Sequence, residues 1–262
     1  TYVNYGIESF KPDNKRHHIQ YNLWINKAII LEKLNRDMEA LLLVEEVCEQ
    51  GNSIRSDDAW LNLLLIRIEL LNKLGRYDEA IHFAQEGLFL ARVDELYDHA
   101  FDLWSSLGES YYQKGFMTNA ELCYQSALKL ESKIKKKRLA IKTYTHLGIV
   151  YCGFEKLKKG QSILENAVKL AREYKDVQGI VKALIALSQC LVMQARELAT
   201  EYDFEELMFD ILLNMSDICK RQNLPDYHKI TGEFQEVSIS LVKGRKALMK
   251  HQTMIPKKVA FS

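Results

Sequence analysis

Breakers of regular structure are scarce in this chain. Three prolines and twelve glycines occur in 262 residues. That excludes a turn-rich sheet protein and favours helices. No pair of the five cysteines, Cys48, Cys123, Cys152, Cys190 and Cys219, has CxxC spacing, and the count is odd. Each lies in an apolar helical pattern. They read as reduced core thiols of a cytoplasmic protein, with no disulfide framework and no metal site. A charge excess is also missing: the formal net charge is +1, so no whole-chain basic field draws nucleic acid. No uninterrupted apolar run reaches the roughly 18 residues of a membrane span, and no membrane partner is expected. No phosphate-binding glycine loop, HExxH or GxSxG occurs. Neither an enzyme, a catalytic residue nor a cofactor is therefore expected.

What is present is a repeat. The segment Trp104-Ser105-Ser106-Leu107-Gly108-Glu109-Ser110-Tyr111 resembles the tetratricopeptide-repeat (TPR) motif W-x2-L-G-x2-Y, and Ala120, Tyr124 and Ala127 follow at the motif's spacing. A further copy carries Tyr144, Leu147, Gly148 and Tyr151, then Gly160, Leu164 and Ala167. An earlier one carries Leu64, Ile68 and Leu71, the turn Gly75-Arg76-Tyr77-Asp78-Glu79-Ala80, then Ala84 and Gly87. The first carries Trp24, Ala28 and Leu31, then Ala40, Val44 and Val47.

Repeats are thus expected near 21–60, 61–100, 101–140 and 141–180, with a degenerate one over 181–224. Each is a helix A and a helix B. Small residues (Ala28, Ala80, Gly108, Ala120, Gly148) mark close crossings, and large aromatics fill the space beside them. The step of about 40 residues exceeds the common 34 of this motif. The surplus is placed between helix B and the next helix A, as in Lys129 to Leu139 and Ala171 to Val177, with long helices and a wide groove. The fold class is all-α: a right-handed α-α superhelix, or TPR solenoid, over 21–252, closed by a capping helix at 226–252. In the fifth repeat, helix A either turns near Gln194 to Glu197 or, by slight preference, runs on to Thr200, with Phe204-Glu205-Glu206-Leu207 opening helix B. Residues 1–20 read as an N-terminal segment, the remnant of a linker to a missing domain, and 253–262 as a tail.

The TPR resemblance implies a concave surface lined by helices A, exposing the second, fifth, sixth, ninth and twelfth motif positions. The expected peptide-binding residues are Asn22, Asn26, Asn62, Glu69, Asn72, Asp102, Ser105, Glu109, Tyr112, Lys142, Thr145, His146 and Gln189. Asparagine both donates to and accepts from a peptide backbone. The acids suit a basic residue or free amine, and Lys142 and Lys182 suit a carboxylate. No repeat has Lys and Asn at the fifth and ninth positions, which disfavours an adaptor for chaperone tails. The basic run Lys133-Ile134-Lys135-Lys136-Lys137-Arg138 reads as a solvated end of helix B, or else a docking patch for an acidic partner.

The forty-residue period, the run Leu70 to Ala80, the run Tyr144 to Tyr151 and the Lys/Ile/Leu/Glu-rich composition resemble the quorum-sensing peptide receptors of Gram-positive bacteria, the Rap, NprR and PlcR group, NprR-like members above all. That resemblance implies a short signalling peptide in the concave groove and transcription regulation or phosphorelay control through an N-terminal module that residues 1–20 are too short to hold. The expected partner is such a peptide or an extended protein segment, and self-association stays open. A constitutive protein–protein interaction scaffold is the alternative.

Overall fold

The computed structural model describes residues 17–50, 57–201, 205–222, 229–233, 235–241 and 243. Those residues are helical apart from short connections, with no strand among them. The chain divides into two compact units, Thr1–Leu184 and Ile185–Ser262. The expected N-terminal segment up to residue 16 and the expected tail lie outside the described residues.

In the first unit the helices run α1 His17–Lys33, α2 Asp37–Gln50, α3 Asp57–Lys73, α4 Tyr77–Val93, α5 Tyr97–Gln113, α6 Met117–Lys129, α7 Ala140–Gly153 and α8 Leu157–Glu173. Odd-numbered helices are helices A and even-numbered ones helices B. Helices α1, α3 and α5 start four residues ahead of the motif starts at 21, 61 and 101, because the motif's first large residue sits one turn inside its helix.

The turns explain the long period. Asn35, Gly75, Glu95, Gly115, Glu155 and Lys175 all have positive φ, and their positions differ by multiples of 20. At Gly75 the N–H bonds to Asn72 O and the N–H of Arg76 to Leu71 O, which is the Schellman closure of a helix. The same pair of bonds recurs at Asn35, Gly115, Glu155 and Lys175, and at Glu95 the longer of the two, Leu96 N–H to Ala91 O, is kept. The turn inside a repeat and the turn between repeats are therefore alike. The helices are long as expected, with 17 residues in α1, α3, α4, α5 and α8, and the placement of surplus residues is corrected only after Ala171, where helix α8 continues to Glu173.

One junction departs from the pattern. Helix α6 stops at Lys129, and an irregular stretch with a 3-10 turn at Lys137–Leu139 leads into α7. Ile134 plugs this stretch into the core beside Phe101, Ala127 and Ala140. The backbone N–H groups of Lys135 and Lys136 donate to Asp98 Oδ1 at 2.7 and 3.4 Å. The basic run thus sits in the connection and not at the end of a helix.

Each helix A packs on its own helix B, on the preceding helix B, and on the neighbouring helix A. Ala28, Ala80 and Ala120 are fully buried at these crossings. A Cβ at Gly108 would lie 2.7 Å from Tyr124 Cε1, and one at Gly148 would lie 2.4 Å from Leu164 Cγ. The core is continuous through the first repeats, with Leu61, Leu63, Leu64, Ile68, Leu70 and Leu71 at its centre.

Helix α9 runs Val177–Glu201 and α10 Glu205–Gln222. Helix α9 is thus the longer of the two alternatives, with no turn at Gln194 to Glu197. By length and composition it is apolar enough to cross a membrane. This differs from the search for an uninterrupted run, because isolated polar residues such as Gln178, Lys182 and Ser188 break the run without making the helix polar on average. In the second unit Leu212 and Ile230 are buried against Met208, Met215 and Val237, and Arg196 pairs with Glu233. Of the expected capping helix, residues 229–233 and 235–241 are helical.

Candidate functional site

Three helices A, α3, α5 and α7, lie side by side because each A helix packs on the next. Polar side chains fasten them. Ser110 Oγ of α5 donates to Asn72 Oδ1 of α3 at 2.8 Å, and Thr143 Oγ1 of α7 donates to Ser105 Oγ of α5 at 3.0 Å. His99 Nε2 lies 3.3 Å from Asn62 Oδ1.

Above this floor is a cavity of about 510 Å³ lined by Leu65, Glu69, Asp102, Ser105, Ser106, Ile141, Lys142, Thr145, His146 and Lys182, with Arg138 and Asp176 at its edge. Lys142 Nζ is 2.7 Å from Glu109 Oε2. Arg138 Nε is 3.2 Å from Asp176 Oδ2, and Lys73 pairs with Glu32. Glu69 and Lys142 line the cavity from exposed positions, and Asp102 is half-buried.

The enclosure sets the charges. Burial raises the Asp102 carboxyl to about 6, against the opposing pull of Lys142. Burial raises Glu69 likewise. Burial also opposes ionisation of Glu109, but Lys142 outweighs it and holds that pKa below the usual range. For Lys142 burial favours the neutral amine, yet Glu109, Glu69 and Asp102 together raise its pKa. His146 is pushed down to about 4 by burial, so its ring is neutral at physiological pH. Its Nδ1 lies 3.1 Å from the Tyr124 hydroxyl, which ties α7 to α6.

The residues picked from sequence divide into four groups, of which Asn62 and Asn72 form one, facing His99 and Ser110 of α5 outside the cavity lining. Glu69, Asp102, Ser105, Lys142, Thr145 and His146 converge on the cavity, and Glu109 joins through Lys142. Asn22 and Asn26 are exposed on α1, and Tyr112 is half-buried on α5, all outside the cavity lining. Gln189 belongs to α9, beyond the first unit.

Three expectations of exposure need correction. Asn72 is 9% exposed, and Ser105 and Thr145 5%. The fifth and twelfth motif positions are not uniformly exposed, because they meet the neighbouring helices A. Asn72 gives its carbonyl oxygen to Ser110, and its amide nitrogen has no partner among the described residues. Thr145 Oγ1 donates to Ile141 O of its own helix at 2.9 Å. Positions two, six and nine form the accessible line.

Sequence reasoning missed Arg138, Leu139, Asp176, Gln178 and Gly179 as edge residues. They come from the irregular junction and the turn before α9. The only sequence feature bearing on them was the basic run that ends at Arg138. A larger hollow of about 770 Å³ between α4 and α6, lined by Phe89, Trp104, Tyr111 and Leu122 among others, gathers none of the expected site residues.

No protein-family model matches the sequence, and no curated protein matches it. Solved structures do. A Rap protein complexed with Competence and Sporulation Factor aligns with a TM-score of 0.62 at 13% identity, over 90% of this chain and 67% of that one. The Rap conjugation gene regulator of the plasmid pLS20, in complex with the Phr* peptide, aligns at 0.60 and 14% identity over 92% and 68%. The kinesin light chain TPR-like repeats from Podosopora anserina align at 0.54 and 15% identity over 76% and 98%. The chain spans about two thirds of the length of the two Rap structures. At these identities the likeness is one of fold: the helix pairs stack as in the tetratricopeptide-repeat solenoids of these structures.

Proposed function

We propose that the chain binds an extended peptide segment along α3, α5 and α7 and acts as a regulatory sensor by binding, with no catalytic step of its own. The charge arrangement of the cavity carries this reading. Glu69 and Asp102 have no ion-pair or hydrogen-bond partner among the described residues, while the nearest lysine, Lys142, is paired with Glu109. Two carboxylates without an ion pair, beside a lysine already committed to Glu109 and an arginine committed to Asp176, favour a ligand that brings an ammonium or guanidinium group. Lys182 is exposed on the far side of the cavity and suits the ligand's carboxylate. Leu65 and Ile141 offer apolar contact, and Asn22 and Asn26 extend the proposed surface.

The finer reading is a short signalling peptide sensed in the cytoplasm, with a transcriptional or phosphorelay output. Burial of the Cys48 and Cys123 thiols in the helical core, outside any disulfide, supports a reducing compartment. The Phr* peptide in the pLS20 regulator structure supports the ligand class.

The test is calorimetric titration with a library of peptides of about five to eight residues, each with a free and an acetylated N-terminus. Binding should weaken at least tenfold in Glu69→Gln/Asp102→Asn, since a charge-assisted bond contributes about 1.5–3 kcal/mol. A library without a binder, together with large partners that stay bound regardless of peptide, would replace this reading with that of a constitutive scaffold.

A further inference from the structure

The hollow of about 770 Å³ between α4 and α6 is a departure from the repeat. Corresponding residues of the helices B stand 40 positions apart, so each groove between successive helices B can be set against the next. The groove between α2 and α4 is filled. Phe83 packs on the core, the Arg67 guanidinium stacks 3.7 Å from the centre of its ring, and Glu45 lies 3.4 Å from that guanidinium. The groove between α6 and α8 is filled by Ile163 and bridged: Gln125 Nε2 donates to the Tyr151 hydroxyl at 3.0 Å, and Lys159 Nζ lies 4.1 Å from the Tyr151 ring centre. Between α4 and α6 the counterparts are Cys123 for Phe83 and Ile163, Leu107 for Arg67, Gln85 for Glu45 and Gln125, and Asn119 for Lys159. Cys123 is too small to fill the groove, and Leu107 cannot pair. Gln85 and Asn119 make no hydrogen bond among the described residues. The space that a side chain occupies in the neighbouring grooves is therefore left open here, over a floor of Trp104 and Tyr111.

The lips and the charges indicate what enters. Phe89 is 70% exposed on one lip and Leu122 59% on the other. At the position of Phe89 the other helices B carry Glu49, Lys129 and Lys169, all exposed. An aromatic ring in a charged register, beside an unfilled hollow, marks a surface that a macromolecule covers; a small molecule seated in the hollow would leave both lips wet. The lining runs from Asn119 to Leu130 along α6, about 16 Å or three helical turns. Two helical walls of that length suit a third helix, whose large apolar side chains at i, i+3 or i+4 and i+7 enter the space above Cys123. Charge is confined to one end. Arg92 lines the hollow there, and Lys133 Nζ lies 4.6 Å from the centre of the Tyr97 ring, which also lines it, against one lining acid, Glu95. Neither cation has an ion pair among the described residues. Gln85 and Asn119, at the other end, are uncharged. The complement is a helix that carries its acids at one end, and the first turn is where a helix accommodates them best.

We propose that the hollow between α4 and α6 docks an amphipathic helix of a partner protein, apolar along one face and acidic in its first turn, with a large side chain over Cys123 and its carboxylates beside Arg92 and Lys133. The probe is a fluorescein-labelled peptide of about 15 residues, with Leu and Phe at helical spacing on one face and glutamates in the first turn. A counterpart has lysines in place of the glutamates. Anisotropy titration against the whole chain should give a micromolar Kd for the glutamate peptide and weakening of roughly tenfold or more for the lysine peptide. Cys123→Phe, which gives α6 the ring that α4 carries at this position, should weaken the glutamate peptide by a similar factor. Phe89→Lys/Leu122→Ser, which restores residues that α8 carries, should do the same with an unchanged helical spectrum and melting curve, since both positions are exposed; it decides the matter should Cys123→Phe fold poorly. Arg92→Ser/Lys133→Ser should remove the preference between the two peptides. Absence of binding by either peptide overturns the proposal, as does binding that persists undiminished in Phe89→Lys/Leu122→Ser. Equal affinity for the two peptides overturns the acidic partner. If neither peptide binds while 1-anilinonaphthalene-8-sulfonate does, and Cys123→Phe expels the dye, the hollow belongs to a small apolar ligand and the helix docking is overturned as well.

Discussion

Replacing Gly148 with alanine puts one methyl group into the tightest crossing of the fourth repeat. An ideal Cβ there would lie 2.4 Å from Leu164 Cγ, 2.7 Å from Leu164 Cδ2 and 3.3 Å from Gly160 O. Leu164 is fully buried on α8, and its branched carbon sits close to its own backbone, so it cannot rotate clear. Relief requires α7 and α8 to separate. Overpacking of this kind costs about 1–3 kcal/mol, and the upper half of that range applies where backbone has to move. Alanine returns up to about 1 kcal/mol through its better helix propensity. The expected net loss is about 1–2 kcal/mol. In urea, with a slope of roughly 2–3 kcal/mol/M, the midpoint followed by circular dichroism at 222 nm should fall by about 0.5 M. Leu164→Ala alone should cost about 2–5 kcal/mol through its cavity. The double variant should lose less than the sum of the two, because the alanine methyl enters the space that the leucine vacates. A Gly148→Ala protein as stable as wild type, or additive with Leu164→Ala, would refute the close-crossing explanation for this motif glycine.

Three further outcomes follow from the same geometry. Glu155 holds φ at +59°, a conformation costly for a side chain, so Glu155→Gly should raise stability by about 0.5–1 kcal/mol, read as a higher melting temperature. Asp102 has a folded pKa of about 6, raised above its unfolded value near 3.9; the stability this contributes is present below about pH 4 and is lost as pH rises through 6. Asp102→Asn should therefore be more stable than wild type at pH 8, on the order of 1 kcal/mol once solvent screening is allowed for, and indistinguishable at pH 4. Ser110→Ala leaves the Asn72 amide wholly unpaired and should cost about 1–3 kcal/mol in denaturant melts, whereas Asn72→Leu/Ser110→Ala should recover most of the loss.

Much of the fold was legible in residue spacing. The interval from Gly108 to Gly148 and from Ala80 to Ala120 follows from sterics: only a small residue fits each crossing, so the repeat is written in residue size. The equivalence of the two kinds of turn was harder to see. Gly75, Gly115 and Asn35 advertise a left-handed position, but Glu95, Glu155 and Lys175 adopt it with side chains that do not. Helix α9 is concealed in the linear sequence because Gln178, Lys182 and Ser188 interrupt its apolar run without making the helix polar on average. Its exposure depends on what packs around it.

The sequence by itself determined the helix-pair architecture, the forty-residue step and the small-against-large crossings, since these depend on local propensity and on neighbours one repeat away. It also placed Glu69, Asp102, Lys142 and His146 on helices A. Only the tertiary structure decided which polar residues would be available to a ligand. Asn72 and Ser105 carry the same hydrogen-bonding groups as a free surface residue, yet the stacking of α3, α5 and α7 turns them inward to hold one helix to the next. That stacking also brings one acid from α3 and two from α5 to the same lysine of α7, a convergence set by interhelical geometry that no position in the linear motif encodes.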